Sequence, residues 1–234
     1  MSMKLEQISL SVGSQTLIEN VELFIEAGKV TSLMGASGSG KSTLLSYISG
    51  TLNHKIAGSG RILVNGQEVQ DLPAERRKIG LLFQDALLFP HLNVGENLGF
   101  GLSSAVEKPH RRKKIQEALE RAQLTGIYDK NPVTLSGGER SRVALMRTLL
   151  AEPDALLLDE PFSRLDEQIK QSFREFVFET AMEKNIPVLM VTHDIQDTQV
   201  AQSMSGGPVF MLEQQQIKPL GNDDMTQTNT RRVQ

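Results

Sequence analysis

Residues 29–50 read KVTSLMGASGSGKSTLLSYISG, and their reading decides the fold. A short apolar run, Val30 to Met34, enters a glycine, and Gly35 to Ser42 then reads G-A-S-G-S-G-K-S. That is a full match to the phosphate-binding P-loop pattern, with the strand before it and the helix after it that the pattern requires. The glycines let the backbone curl so that several N–H groups face one anion, and a helix opening near Lys41 adds its positive dipole end. Gly35, Ala36, Ser37, Gly38, Ser39, Gly40, Lys41, Ser42 and Thr43 are therefore candidate nucleotide-binding residues. Lys41 is placed to reach the β- and γ-phosphates, Ser42 to ligate Mg²⁺, and Thr43 to add a hydroxyl beside the same phosphates.

Toward the amino end, KLEQISLSV (4–12) and LIENVELFIEA (17–27) alternate polar and apolar residues, which predicts strands with one buried face. Beyond the P-loop helix, GSGRILVNGQEV (58–69) predicts a hairpin turning at Asn65-Gly66, and IGLLFQ (79–84) a further strand. Residues 84–135 change character, with turn residues and one helix at 111–124. From Leu156 the alternation of strand and helix resumes: ALLLDE (155–160), a helix at 167–184, PVLMVTHD (187–194), a helix at 195–203, and a closing hairpin of 208–212 and 215–219. Continuous apolar strands alternating with helices predict an α/β fold with a mostly parallel sheet covered on both faces. The expected organisation is a single domain over residues 1–234. It has a nucleotide-binding core of 1–83 and 151–219, an inserted helical subdomain of 84–150, amino-terminal antiparallel β strands and a polar tail of 220–234.

A second anion site is written at 135–147, LSGGERSRVALMR, where Ser136, Gly137, Gly138 and Glu139 open an amphipathic helix. Two acids, Asp159 and Glu160, follow an apolar strand at its carboxyl end, the edge where open α/β sheets bind ligands. Asp159 is a candidate Mg²⁺ ligand because that ion takes hard oxygen donors. Glu160, one residue on, is a candidate base that polarises an attacking water. Gln84 and His193 also close apolar strands. The first offers an amide oxygen to Mg²⁺ and the second an imidazole to a γ-phosphate.

There is no cysteine among the 234 residues, so disulfide and thiolate chemistry are excluded. The net charge of −3 gives no electrostatic argument for nucleic acid. The basic run HRRKK (110–114) is flanked by Glu107, Glu117 and Glu120 and has no interleaved aromatics, so it reads as a solvated helix face. His54, His91 and His110 show no metal-ligand spacing. The first residues do not read as a signal peptide, and no run is long and apolar enough to span a bilayer. Any link to a membrane is expected to come through a partner.

Taken together, these residues resemble the ATP-binding subunit of ABC transporters over residues 5–218. The Walker A loop 35–43, the Q-loop glutamine Gln84, the signature LSGGE (135–139), the Walker B acids Asp159 and Glu160, and the switch histidine His193 stand in the family's order. SRLD (163–166) looks like its D-loop, with Asp166 facing a partner subunit. The resemblance implies the ABC ATPase version of the P-loop NTPase fold, ATP and Mg²⁺, and a head-to-tail homodimer with each ATP between Walker A of one chain and Ser136, Gly137 and Gly138 of the other. Glu160, His193 and Gln84 then carry catalysis. Two departures stand out. Val12 occupies the place of the usual adenine-stacking aromatic, which implies weak base preference, and Glu139 stands where glutamine is commoner.

The stretch LLFQDALLFPHLNVGENLGFGL (81–102) is similar to bacterial binding-protein-dependent importers of the thiamine, molybdate, sulfate and polyamine kind. In them it forms the groove for a membrane subunit, while the remaining carboxyl-terminal length is that of the short thiamine-type ATPases. Phe83, Leu87, Leu88, Phe89 and Leu92 divide between core and groove in a way the sequence does not decide. The implied setting is the cytoplasmic face of the inner membrane, with permease subunits as direct partners, a substrate-binding protein as an indirect one, and no nucleic acid. An exporter or lipid-release ATPase, and a soluble non-transport ABC ATPase, are the alternatives.

Overall fold

The structure is a computed structural model that describes residues 1–163 and 165–221, apart from the Gln168 side chain. The expected tail beyond Gly221 and Arg164 of the SRLD stretch lie outside the described residues.

Alternation at the amino end folds as expected. Strands β1 (Ser2–Val12), β2 (Gln15–Glu26), β4 (Ile56–Val64) and β5 (Gln67–Glu68) form an antiparallel sheet in the order β2-β1-β4-β5. Asn65 and Gly66 join β4 to β5 with φ of 53° and 78°, the two positive values of a type I′ turn. The second sheet has the order β10-β9-β3-β8-β7-β6, built from β3 (Val30–Gly35), β6 (Ile79–Leu82), β7 (Ala155–Asp159), β8 (Val188–Val191), β9 (Val209–Glu213) and β10 (Gln216–Pro219). Every pair in it is parallel except β9 with β10.

Helix α1 (Lys41–Ser49) follows the P-loop, and α2 (Val94–Gly99), α3 (Lys108–Arg121) and α4 (Gly137–Leu150) fill the inserted segment. Helices α5 (Glu167–Glu183) and α6 (Ile195–Ser205) complete the α/β alternation. The period-2 rule divides the core. In β7, Leu156 and Leu158 point into one apolar cluster with the helices of 84–150, while Ala155 and Leu157 point into another with α1 and the antiparallel sheet. The inserted helices thus share their core with one face of the central sheet.

Two local readings differ from expectation. The helix expected at 111–124 is α3, 108–121: Pro109 fits a first turn, where its missing N–H is no loss, and Gln123 at φ 56° stops the helix early. The short α2 was not anticipated, although Asn93 and Glu96 form a reciprocal capping box at its start.

Candidate functional site

The order β3-β8-β7-β6 sets four neighbouring parallel strands side by side, so their carboxyl ends open on one edge. The P-loop leaves β3, His193 follows β8, Asp159 and Glu160 close β7, and Gln84 follows β6. Residues far apart in sequence meet there because parallel pairing gives all four strands the same direction.

The loop itself depends on left-handed backbone at Gly38 (φ 77°) and Gly40 (φ 102°). Gly40 is the N-cap of α1 and brings no side-chain cap, so the first-turn N–H groups of that helix are left for an outside acceptor. A Cβ at Gly35 would lie 2.8 Å from the Leu212 carbonyl oxygen and 3.0 Å from Ser39 Oγ, so only glycine fits. Ser39 Oγ is itself buried without a hydrogen-bond partner among the described residues. Lys41 is 5% exposed and donates from Nζ to the carbonyls of Gly35 and Ala36, at 2.8 Å each. Burial pulls its ammonium pKa down, against Glu160 and Asp159, which hold it up.

Ser42 Oγ donates to Asp159 Oδ1 at 2.9 Å. Burial pushes the Asp159 carboxyl up; the Ser42 bond and Lys41 oppose that shift, and Glu160 adds to it. Glu160 sits at φ 44°, a strained conformation for a side-chain-bearing residue, with its N–H donating to the Val191 carbonyl at 2.9 Å. Its Oε1 lies 3.1 Å from His193 Nδ1. Gln84 Nε2 donates to Ser163 Oγ (3.1 Å), whose hydroxyl donates to the Glu160 carbonyl (2.9 Å). A cleft of about 360 Å³ is lined by Ser37, Gly38, Gly40, Lys41, Ser42, Thr43, Gln84, Asp159 and Glu160, together with Leu17 of β2. Val12 ends β1 beside Gln15 and Ile56, 40% exposed, and is not among the lining residues.

The charges in this cleft, one ammonium against two carboxylates, do not welcome a polyphosphate alone. An oxygen-ligated divalent cation corrects the balance, and Ser42, Asp159 and Gln84 supply the hard oxygen donors that Mg²⁺ takes. The residues present fit the ion.

Ser136, Gly137, Gly138 and Glu139 are not brought to this cleft. They open α4, where Ser136 Oγ accepts from the Glu139 N–H (3.2 Å) and Glu139 Oε2 accepts from the Ser136 N–H (2.7 Å). The Ser136 backbone bond is the main cause holding the Glu139 carboxyl below the usual range. A Cβ on Gly138 would stand 2.8 Å from Ile169 Cγ2, so the close approach of α4 to α5 needs glycine there. Asp166 is the exposed N-cap of α5 and makes no side-chain capping bond.

The structure also divides the apolar stretch after Gln84. Leu88 packs against the core, whereas Phe83, Leu87 and Phe89 are exposed. Phe100, which sequence reasoning missed, joins Phe89 at 4.8 Å between ring centres and is 67% exposed. The basic run lies on α3 with partners inside the fold: Arg111 bonds the carbonyls of Gly99 and Ser103, and the Arg112 guanidinium lies 4.4 Å from the centre of the Tyr128 ring.

Residues 18–163 match the sequence profile of the family described as ABC transporter. The chain is 46% identical over 192 residues to the uncharacterized ABC transporter ATP-binding protein YnjD of Escherichia coli (strain K12), a match covering 82% of this chain and 88% of that protein. It is 40% identical over 198 residues to the sulfate/thiosulfate import ATP-binding protein CysA of Nephroselmis olivacea. That match covers 84% of this chain but 57% of the relative's length. Among solved structures, the fold is similar to the dimeric post-hydrolysis state of the ATP-binding cassette MJ0796 bound to ADP and Pi, with a TM-score of 0.78 and 28% identity, covering 94% of this chain and 99% of that one.

Proposed function

The chain belongs to the ABC transporter family, and from that membership we propose that it is the ATP-hydrolysing subunit of a bacterial binding-protein-dependent importer. One observation carries the reading: Lys41, Ser42, Asp159 and Glu160 converge on a single cleft floored by the P-loop. Water attacks the γ-phosphorus in line, the bond to the β–γ bridging oxygen breaks, and ADP and phosphate leave. Glu160 takes the proton of the attacking water. His193 Nδ1, 3.1 Å from Glu160 Oε1, orients that carboxylate, and as the imidazolium the ring also donates from Nε2 toward the γ-phosphate. Lys41 leaves the Gly35 and Ala36 carbonyls for the phosphates, joined by the N–H groups of the first turn of α1. Ser42, Asp159 and Gln84 would hold Mg²⁺, which when bound neutralises charge on the β- and γ-phosphates.

The separation of Ser136–Glu139 from this cleft supports a head-to-tail homodimer in which each chain lends its α4 terminus to the γ-phosphate held by the other. ATP then bridges the pair, and hydrolysis removes the bridge. Leu17 offers an apolar side to the base in place of the family's aromatic, in keeping with weak base preference at Val12. The exposed Phe83, Leu87, Phe89 and Phe100 form the surface for a permease subunit, which keeps the chain at the cytoplasmic face of the inner membrane. Glu160→Gln tests the assignment. The variant is expected to bind ATP as the native chain does, lose at least about 10²-fold in turnover, and carry a polytopic permease with it from detergent-solubilised membranes. Undiminished turnover refutes the role of Glu160, and recovery of soluble partners alone refutes the importer.

A further inference from the structure

The residues on both sides of His193 are gripped by charged groups that the hydrolysis mechanism does not use. Arg174 of α5 is 1% exposed. Its Nε donates to Asp197 Oδ1 at 2.6 Å, and its Nη2 to Asp194 Oδ2 at 3.4 Å. Lys170, one turn earlier on the same helix, donates to the same Asp194 oxygen. Asp197 is 2% exposed and accepts the Thr192 hydroxyl on its other oxygen at 2.7 Å. Thr192 Oγ1 in turn accepts from the Asp194 N–H at 3.0 Å. Asp194 Oδ1 caps α6 through the Gln196 N–H at 2.9 Å.

Of the two neighbours of His193, Asp194 is thus fixed to α5 directly and Thr192 through Asp197 of α6. On the far side of the same site, Phe162 lies two residues past Glu160, with the Arg174 guanidinium 5.9 Å from the centre of its ring. A buried ion pair of this kind contributes little net stability, because desolvating the charges offsets their attraction, and apolar residues of the same volume often do as well. What it supplies is a directional, multiply bonded hold on one backbone segment.

We propose that Lys170 and Arg174 are positioning residues for hydrolysis, acting through Asp194, Asp197 and Thr192 to hold the His193 imidazole against Glu160. The proposal rests on the reading of Glu160 and His193 as the catalytic pair. A side-chain carboxylate and an imidazole 3.1 Å apart lose their alignment if the loop between β8 and α6 moves by a fraction of an ångström, and misplacement by about 1 Å can cost on the order of 10²-fold in rate.

The test is a set of double-mutant cycles on the purified chain. ATP turnover and fluorescent-ATP affinity are measured for Lys170→Met, Thr192→Val and Arg174→Met, each in the native and in the His193→Ala background. Arg174→Met takes the guanidinium from the buried Asp197 carboxylate and is the variant most exposed to misfolding, whereas Thr192→Val and Lys170→Met are milder. Expected in the native background is a kcat loss of roughly 10- to 100-fold with ATP affinity within about threefold. Expected in the His193→Ala background is a further loss of less than about twofold. Lys170→Arg, which keeps the cation, is expected to retain activity. Equal losses in both backgrounds, or affinity falling in step with kcat, overturn the positioning role. If His193→Ala alone leaves kcat unchanged, the catalytic pair itself is wrong and the proposal falls with it.

Discussion

Glu139 carries two opposed effects on one side chain. Its carboxylate completes the capping box of α4 and stands at the positive end of that helix. The same charge sits where the proposed dimer would bring a γ-phosphate. Its pKa is held below the ordinary value, so its contribution to stability is full above the usual glutamate range and fades as pH falls through the lowered value. Discounted for solvent, that contribution is about 0.5 kcal/mol. Glu139→Gln is therefore expected to lower Tm by about 1–2 °C at neutral pH, with the difference vanishing in acid, and to tighten ATP-driven association. Thermal scans across pH, with sedimentation in ATP, check both signs. Residues like this were legible in sequence because a cap and its partner lie three positions apart. Arg174 was not, since its partners Asp194 and Asp197 are 20 and 23 residues away on another segment. Only the i, i+4 spacing of Lys170 and Arg174 hinted at one charged face.

At the scale of elements, α1 must be held so that the P-loop before it stays open, and Arg77 does much of this. Its guanidinium donates to the carbonyls of Tyr47 (2.7 Å) and Ile48 (2.9 Å) in the last turn of α1, and to those of Gln70 (2.5 Å) and Leu72 (2.8 Å) in the strap that follows β5. Arg77→Met removes the donors of the Ile48, Gln70 and Leu72 carbonyls, while Tyr47 keeps the Gly50 N–H at 3.2 Å, an expected loss of about 3 kcal/mol. For a domain of this size that is a Tm drop of roughly 6–12 °C, measurable by calorimetry. Arg77→Lys recovers part of it, because an ammonium cannot reproduce the planar fork. Most elements were readable from periodicity and turn residues, as at Asn65-Gly66. The early stop of α3 was not, because Gln123 takes left-handed backbone that no glycine or proline announces, and neither was α2, whose six residues are too few to display a period.

For the whole molecule, the separation of the two anion cradles is the feature with consequences. If each complete site takes Lys41 from one chain and Ser136 from the other, Lys41→Ala and Ser136→Ala are each inactive alone. Mixed in equal amounts, half of the dimers are heterodimers with one intact site and one doubly damaged site. Turnover is then expected to return to about one quarter of native. No recovery on mixing, measured as ATP hydrolysis against protein concentration, overturns the shared site.

The sequence alone determined the P-loop, the acid pair after an apolar strand, the amphipathic helix behind two glycines and the α/β alternation. Each of these is encoded within a few residues, where backbone conformation follows from local composition and spacing. Tertiary structure alone decided that the loops after β3, β8, β7 and β6 share one edge, and that Leu17 rather than Val12 lines the cleft. It also decided that Ser136 lies away from Lys41, and that Lys170 and Arg174 clamp the His193 loop. Those outcomes depend on strand order and on which faces bury against each other, so they are set by the packing of distant segments rather than by any one of them.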